Sequence, residues 1–410
     1  MNQNKGYLKG LATGVLVTAI AFSLIFAFRI ADINSGTSLD QSSSISSNGT
    51  NIADDNTVMT KIGVISKLID TYSLNTVDES YLVEGMFRGI VGGLGDVYST
   101  YFTKEEYAAM MESTSGKYYG IGVLISQDPE TGIISVVKPF PNGPGYEAGI
   151  LPGDILYSVD GVEVTGIDSS KVVSWIKGIE GSTVKIKVAR DGESDYLEFE
   201  VERRQIEVPT VEYRMLEDKV GYIIVSEFDE VTADQFIAAI DDLNGQGMKG
   251  LVIDLRGNPG GLFSIVVEML DYILPEGLIV YTEDRNGDGE RMYSDDKNKL
   301  EIPYSVIING SSASASEIFA GAVKDFGIGT VVGTTSYGKG VVQRIFPLTD
   351  GSAVKLTISK YFTAKGNEID QVGIEPDVIV ELPEELRNQV VIEESKDTQL
   401  QKAIEVLELK

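Results

Sequence analysis

Residues 10 to 28, GLATGVLVTAIAFSLIFAF, run for nineteen positions without a charge. As a helix rising 1.5 Å per residue they would cover about 28 Å, close to the thickness of a bilayer's hydrocarbon core. A segment of that length and character is threaded through lipid more readily than it is buried in a small domain, so the folded body has to begin beyond it. Lys5 and Lys9 precede it, and the positive-inside rule then leaves the N-terminus in the cytoplasm and everything after Arg29 outside. A cleaved signal peptide with Ala19-Ile-Ala21 as its cleavage site is the competing reading, but the apolar run continues seven residues further, which favours an uncleaved anchor. Residues 1–30 are therefore read as a cytoplasmic stub and transmembrane helix, and 31–57 as a flexible linker. Positions 34 to 57 are almost wholly Ser, Asn, Thr, Gly and Asp, too poor in apolar surface to order themselves. As a random coil this stretch would span roughly 25 to 30 Å.

The remaining chain is long enough for two or three domains. With 34 basic against 62 acidic side chains, a net charge of −28, it would repel phosphate backbones, so nucleic acid is not expected as a partner. There is no cysteine and no histidine. Thiol catalysis, disulfide scaffolds, the usual zinc sites and a Ser-His-Asp triad all fall with them.

Apolar residues recur at helical spacing at Ile62, Ile65, Leu68 and Ile69, then at Leu82, Met86, Ile90 and Leu94, which predicts an N-terminal helical region over 58–115. Residues 116–205 change to short β-rich runs (GIGVLIS, GIISVVK, ILYSVDGVEV, TVKIKVAR) with one helical stretch at 169–177, a separate small domain. Over 206–385 the strands VGYIIVSEF, KGLVIDLR and YSVIING alternate with helical patterns at 232–244, 262–273 and 315–325, which predicts an α/β core. Residues 386–410 form a C-terminal helix, with Leu400, Ala403, Ile404 and Leu407 on one face.

Without histidine, a nucleophilic serine needs another base, and Lys339 in Ser336-Tyr-Gly-Lys339-Gly-Val-Val-Gln343 has no acidic residue within ten positions on either side. To act as a base it must lose its charge, roughly 3 to 5 kcal/mol of bias that only burial supplies. The run Asn309-Gly-Ser-Ser-Ala-Ser314-Ala-Ser-Glu317 lies between a strand pattern and a helix pattern. Ser314-x-x-Glu317 fits a helix capping box, and a serine there also sits beside free amides able to hold an oxyanion. Spacing alone leaves Ser311, Ser312, Ser314 and Ser316 all open. Asp254-Leu-Arg-Gly-Asn-Pro-Gly260-Gly261 reads as a strand entering a glycine turn, with Gly260 among its exposed amides. Ile121, Gly122 and Val123 open a strand whose loop suits capture of a peptide carboxylate, and the long ordered pattern from Pro144 to Gly161 adds weight to that reading. Asp284-Arg-Asn286-Gly-Asp288-Gly289 approaches a calcium-loop pattern, but a polar hairpin turn fits better, and no metal or other cofactor is expected. Asn48 and Asn309 match the glycosylation motif; a glycan on Asn309 would crowd the serine-rich run, which favours a bacterial chain.

Together these blocks resemble the C-terminal processing peptidases, the carboxyl-terminal or tail-specific proteases, across nearly everything after the linker. Gly95-Asp-Val-Tyr-Ser-Thr-Tyr-Phe is similar to that family's leader motif and residues 116–205 to its inserted PDZ domain. The Asp254–Gly261, Ser312–Glu317 and Gly338–Gln343 blocks resemble its core signatures in the right order, with 25 residues from Ser314 to Lys339 and four more to Gln343. The resemblance implies Ser314 as nucleophile, Lys339 as base, Gln343 as its orienting partner, and an oxyanion hole from the amides of Gly260 and Ala315. It implies a PDZ domain that captures free or apolar C-terminal tails of protein substrates, and a homodimer built from the flanking helices. Gly145 stands where an alanine is usual, and Lys177-Gly178 where the family often carries Arg-Gly at a position linked to sensing of ligand. The expectation is a membrane-anchored extracytoplasmic serine endopeptidase with a Ser/Lys dyad. Its rival is a catalytically silent, membrane-tethered PDZ scaffold, which would not need Ser314, Lys339 and Gln343 together. An esterase or acyltransferase using the same dyad finds no lipid or acyl-carrier signal.

Overall fold

The computed structural model describes residues 56–295, 297–387, 389 and 392–409. The expected anchor and nearly all of the linker lie outside the described residues, and among those described no helix is long and apolar enough to cross a membrane.

The core is a six-stranded sheet ordered Val211–Met215, Val220–Val225, Gly250–Asp254, Tyr304–Ile308, Gly329–Gly333 and Val378–Ile379. Its first pair is antiparallel and the other four are parallel. Every residue of Gly250–Asp254 and of Tyr304–Ile308 is buried, which explains why both read as unbroken apolar runs: helices cover both faces of these central strands. On one face pack the helices Thr232–Gly245, Phe263–Ile273 and Ala315–Phe326. The first buries Phe236, Ala239, Ile240 and Leu243, the stripe of an amphipathic helix, whereas Ala315–Phe326 is buried from Ala315 through Val323 and is correspondingly rich in small residues. The opposite face is closed by the C-terminal helix Thr398–Glu405, whose Leu400 and Ala403 pack with Leu407 against Val252, Ile307 and Val332. Its apolar stripe is thus spent on its own domain.

A second, antiparallel sheet stands beside this core. Ala353–Thr363 is its central strand, flanked by Val341–Pro347, Gly277–Asp284 and the three-residue strand Thr100–Phe102. The leader motif therefore reaches across the sequence to become an edge of the core. Between Gly277–Asp284 and Arg291–Ser294 lies the acidic turn, where Asp284 accepts hydrogen bonds from the N–H groups of Asn286 (2.8 Å) and Asp288 (3.0 Å), as a hairpin turn does.

The small domain is a six-stranded antiparallel sheet with the helix Ser169–Ile176, around its own core of Ile134, Val136, Leu156, Val172, Val184 and Ile186. It is tied off by Lys117–Gly120 pairing antiparallel with Arg204–Glu207, so entry and exit lie side by side. Three helices, Asn56–Tyr72, Glu79–Gly92 and Lys104–Ser115, precede the small domain; the first buries none of its residues.

Candidate active site

Ser314 caps the helix Ala315–Phe326 and is completely buried, with φ 57° and ψ −112°, a left-handed φ that is rare for a residue with a side chain. The Ser314 N–H donates to the Glu317 carboxylate (2.7 Å), but its Oγ accepts no backbone amide and has no hydrogen-bond partner of its own. A buried hydroxyl left uncommitted at a strained position is poorly explained by structure alone.

Glu317 organises what surrounds it. Its fully buried carboxylate accepts from the N–H of Ser314, from the N–H groups of Gly338 (2.6 Å) and Lys339 (2.8 Å), and from Ser336 Oγ (2.6 Å). The nitrogens of Ser314 and Lys339 share one oxygen, Oε2, so those two contacts bound their separation at 5.5 Å. A single buried side chain thereby joins the two motifs that lie 25 residues apart. Burial raises the Glu317 proton affinity, and the four donors oppose it.

Lys339 is buried, with its Nζ 4.8 Å from the centroid of the Tyr98 ring. Burial, followed by the charge of Lys355, pulls its ammonium down to about 8, against the opposing carboxylates of Glu317 and Asp96. Its carbonyl accepts from Tyr361, a fully buried phenol whose proton affinity burial pushes far up and which borders Ser314. Gln343 is fully buried in the next strand. Its Nε2 donates weakly to Val341 O (3.3 Å) and Thr357 Oγ1 (3.4 Å), while Oε1 has no partner. Ser314, Lys339 and Gln343 are all buried, and with Ser314 Oγ unpartnered no hydrogen bond joins that hydroxyl to Lys339.

Gly260 presses on Ser314. A Cβ there would stand 2.8 Å from Ser314 Cβ and 3.0 Å from Ala315 N, so at its φ of 107° only glycine fits. Ala315 N–H is the first amide of the helix, with no turn before it to donate into. Gly260 N–H, however, donates to Asn258 Oδ1 (2.8 Å), and Asn258 is itself held by Val225 O (2.9 Å). The two amides are adjacent, but one of them is engaged. Asn309 fastens the glycine turn to the serine-rich turn by accepting from Gly257 N–H (3.1 Å) and Ser311 N–H (3.0 Å).

In the small domain Ile121, Gly122 and Val123 line an apolar cleft with Ile125, Val173 and Ile176, and Lys177 stands at its mouth. The carbonyls of Ile121 and Gly122 accept from Gly145 N–H (2.7 Å) and Phe140 N–H (2.8 Å), which turns the Gly122 and Val123 amides the opposite way. Gly145 has a local reason: a Cβ would meet Ile121 O at 2.9 Å. Lys177 Nζ bonds Glu112 (2.5 Å) on the helix Lys104–Ser115 and lies 4.6 Å from the Tyr118 ring, linking the cleft to the segment that follows the leader.

The motif reading does not single out Asp96, Ser99 and Thr357. Ser99 Oγ donates to Asp96 (2.5 Å) and accepts from Thr357 N–H (3.1 Å), which places the leader behind Gln343.

Residues 219–380 match the model of peptidase family S41, 135–190 that of a PDZ domain, and 20–106 that of the N-terminal domain of the activating protease CtpB. The chain is 38% identical over 330 residues to the carboxy-terminal processing protease CtpB of Bacillus subtilis strain 168, covering 80% of this chain and 68% of that one. To the carboxy-terminal-processing protease of Bartonella bacilliformis it is 35% identical over 331 residues, 79% and 75% of the two chains. A solved structure from Bacteroides fragilis, assigned to the S41 proteases, shares the fold with a TM-score of 0.51 at 17% identity over 82% of this chain and 92% of that one.

Proposed function

Because the chain belongs to the carboxyl-terminal processing proteases of peptidase family S41, and is a serine-type endopeptidase with a PDZ domain, we propose that it cleaves protein substrates with a Ser314/Lys339 dyad. The observation that carries this reading is the Glu317 carboxylate, which ties a strained, uncommitted serine to a lysine whose ammonium is brought to about 8 by burial. Ser314 Oγ attacks the scissile carbonyl while Lys339 Nζ takes its proton. The tetrahedral oxyanion rests on the amides of Ala315 and Gly260, the latter once Asn258 Oδ1 releases it. Lys339 returns the proton to the leaving amine, an ester remains on Ser314, and water activated by Lys339 hydrolyses it. Gln343 Oε1, buried and unpartnered, suits the role of holding the amine in line.

The apolar cleft and the outward-turned amides of Gly122 and Val123 support capture of free or apolar C-terminal tails of protein substrates. The exposed Met59, Val64, Ile65 and Leu68 of the helix Asn56–Tyr72 support a homodimer formed by the N-terminal helices, since an apolar helix face in water calls for a partner. The uncharged run at 10–28 supports a single-pass anchor in a bacterial cell membrane with the catalytic body outside the cytoplasm.

Labelling of the full-length chain with a fluorophosphonate, read by peptide mass spectrometry, tests the dyad. The adduct is expected on Ser314 and to form far more slowly in Lys339→Ala; an adduct on Ser311, Ser312 or Ser316 instead would move the nucleophile.

A further inference from the structure

The leader segment does more in the fold than supply an edge strand. Asp96 accepts from Ser99 Oγ (2.5 Å) and from the Tyr98 N–H (3.1 Å), and Ser99 Oγ accepts from Thr357 N–H (3.1 Å). Thr100–Phe102 then pairs with Ala353, Val354 and Lys355, and Arg88 donates to Tyr101 O (3.2 Å) from the other flank. Tyr98 is thus fixed from both sides along the chain, and its ring centroid stands 4.8 Å from Lys339 Nζ. Lys339 is 8% exposed, whereas the ring over it is only partly buried. The phenol end of that ring faces Tyr337, which is 61% exposed, so the ring lies between the amine and the solvent.

We propose that Tyr98 is a positioning residue for the base: its ring closes Lys339 off from water and so holds the amine in the uncharged form that takes a proton from Ser314. This role rests on the reading of Lys339 as base and deepens it. Water solvates an ammonium far better than an aromatic face does, so a ring that displaces water disfavours the charge even though its face attracts cations. Burial is accordingly the foremost cause that brings the Lys339 ammonium to about 8. The charged and titratable groups around the amine come from several elements. They are Glu317 on the helix Ala315–Phe326, Asp96 in the leader, Lys355 and Tyr361 on Ala353–Thr363, and Tyr337 and Asp370 in the flanking loops. The contact between Tyr98 and Asp96 is made by the backbone, so a change of the Tyr98 side chain leaves Asp96 that donor. Burial pushes the Tyr98 phenol itself up to about 12, so it stays neutral at working pH and acts through its bulk.

The test is the pH profile of kcat/KM for the full-length chain on a fluorescence-quenched unstructured peptide with an apolar C-terminus. Tyr98→Ala admits water to the amine and is expected to move the rising limb upward by roughly one pH unit. The rate at pH 7, relative to the variant's own plateau, then falls about tenfold. Tyr98→Ser is expected to shift the limb as far and covers the case in which Ala does not fold. Tyr98→Phe keeps the ring, and Tyr98→Leu keeps much of the bulk without an aromatic face; both are expected to hold the limb close to its wild-type position. A limb unmoved in Ala and Ser, or moved as far in Phe or Leu, overturns the proposal while leaving the dyad intact. Lys339→Ala separates the two ideas: its loss of activity at every pH upholds the base assignment, and its survival takes down both.

Discussion

The proposed role of Lys339 sets the fold opposing demands, a side chain dry enough to lose its proton and close enough to Ser314 to accept another. Burial brings the ammonium to about 8, so the free amine accumulates as pH rises through that value, and kcat/KM is expected to climb through about pH 8. Lys339→Arg, which cannot give up its proton, is expected to be as inactive as Lys339→Ala, at least on the order of a thousandfold below wild type, in a steady-state cleavage assay. The lysine was legible in the sequence because no acid lies near it in the chain. Its real electrostatic neighbours were not, since they are assembled by the fold: the Ser99–Thr357 contact that brings Asp96 in behind Gln343 spans 258 positions. The choice of Ser314 among four serines was likewise beyond spacing arguments. It is the serine with positive φ and a buried, unpartnered hydroxyl, properties of tertiary packing.

Arg256 shows how one element stabilises another. It bonds Asp254 in the strand Gly250–Asp254 and, at 2.8 and 3.0 Å, Asp397 at the start of the C-terminal helix, while Asp254 also takes the Tyr222 hydroxyl (2.6 Å). Removing the cation leaves two buried carboxylates uncompensated, so Arg256→Ala is expected to cost about 3 kcal/mol in urea unfolding, with non-additive coupling to Asp397→Ala. The loop between Val220–Val225 and Thr232–Gly245 carries the opposite problem. Burial, then Glu227 and Glu230, raises the Asp229 carboxyl to about 8. A carboxyl with its folded value raised gives stability that is complete below its unfolded value near 4 and lost as pH rises through about 8. Asp229→Asn is therefore expected to melt several degrees above wild type at pH 9 and nearly with it at pH 4 in a thermal scan. The core helices Thr232–Gly245 and Phe263–Ile273 were readable because each buries one stripe and leaves the other less covered. The strands Val341–Pro347 and Ala353–Thr363 were not assigned from sequence: Lys355 and Thr357 alternate with Val354 and Leu356, but the polar face is itself turned into the site, so polarity no longer marks the outside. Thr100–Phe102 is too short for any periodicity to reveal.

Over the whole molecule, a PDZ domain and a peptidase core share one chain, joined by the paired strands Lys117–Gly120 and Arg204–Glu207 and by the Lys177–Glu112 contact. Domain texture changed clearly enough along the sequence to suggest both parts, whereas their contact depends on single side chains that no pattern announces. The N-terminal helices predict a dimer, and Ile65→Lys with Leu68→Lys is expected to shift the protein from dimer to monomer in sedimentation velocity with the core still folded. The most direct test of the account is digestion of an unstructured protein with an apolar C-terminal tail by the full-length chain, with fragments identified by mass spectrometry beside Ser314→Ala and Lys339→Ala. Internal cleavage by wild type is expected, and none by either variant although both still bind the tail; cleavage that survives in Ser314→Ala would rule out Ser314 as the nucleophile.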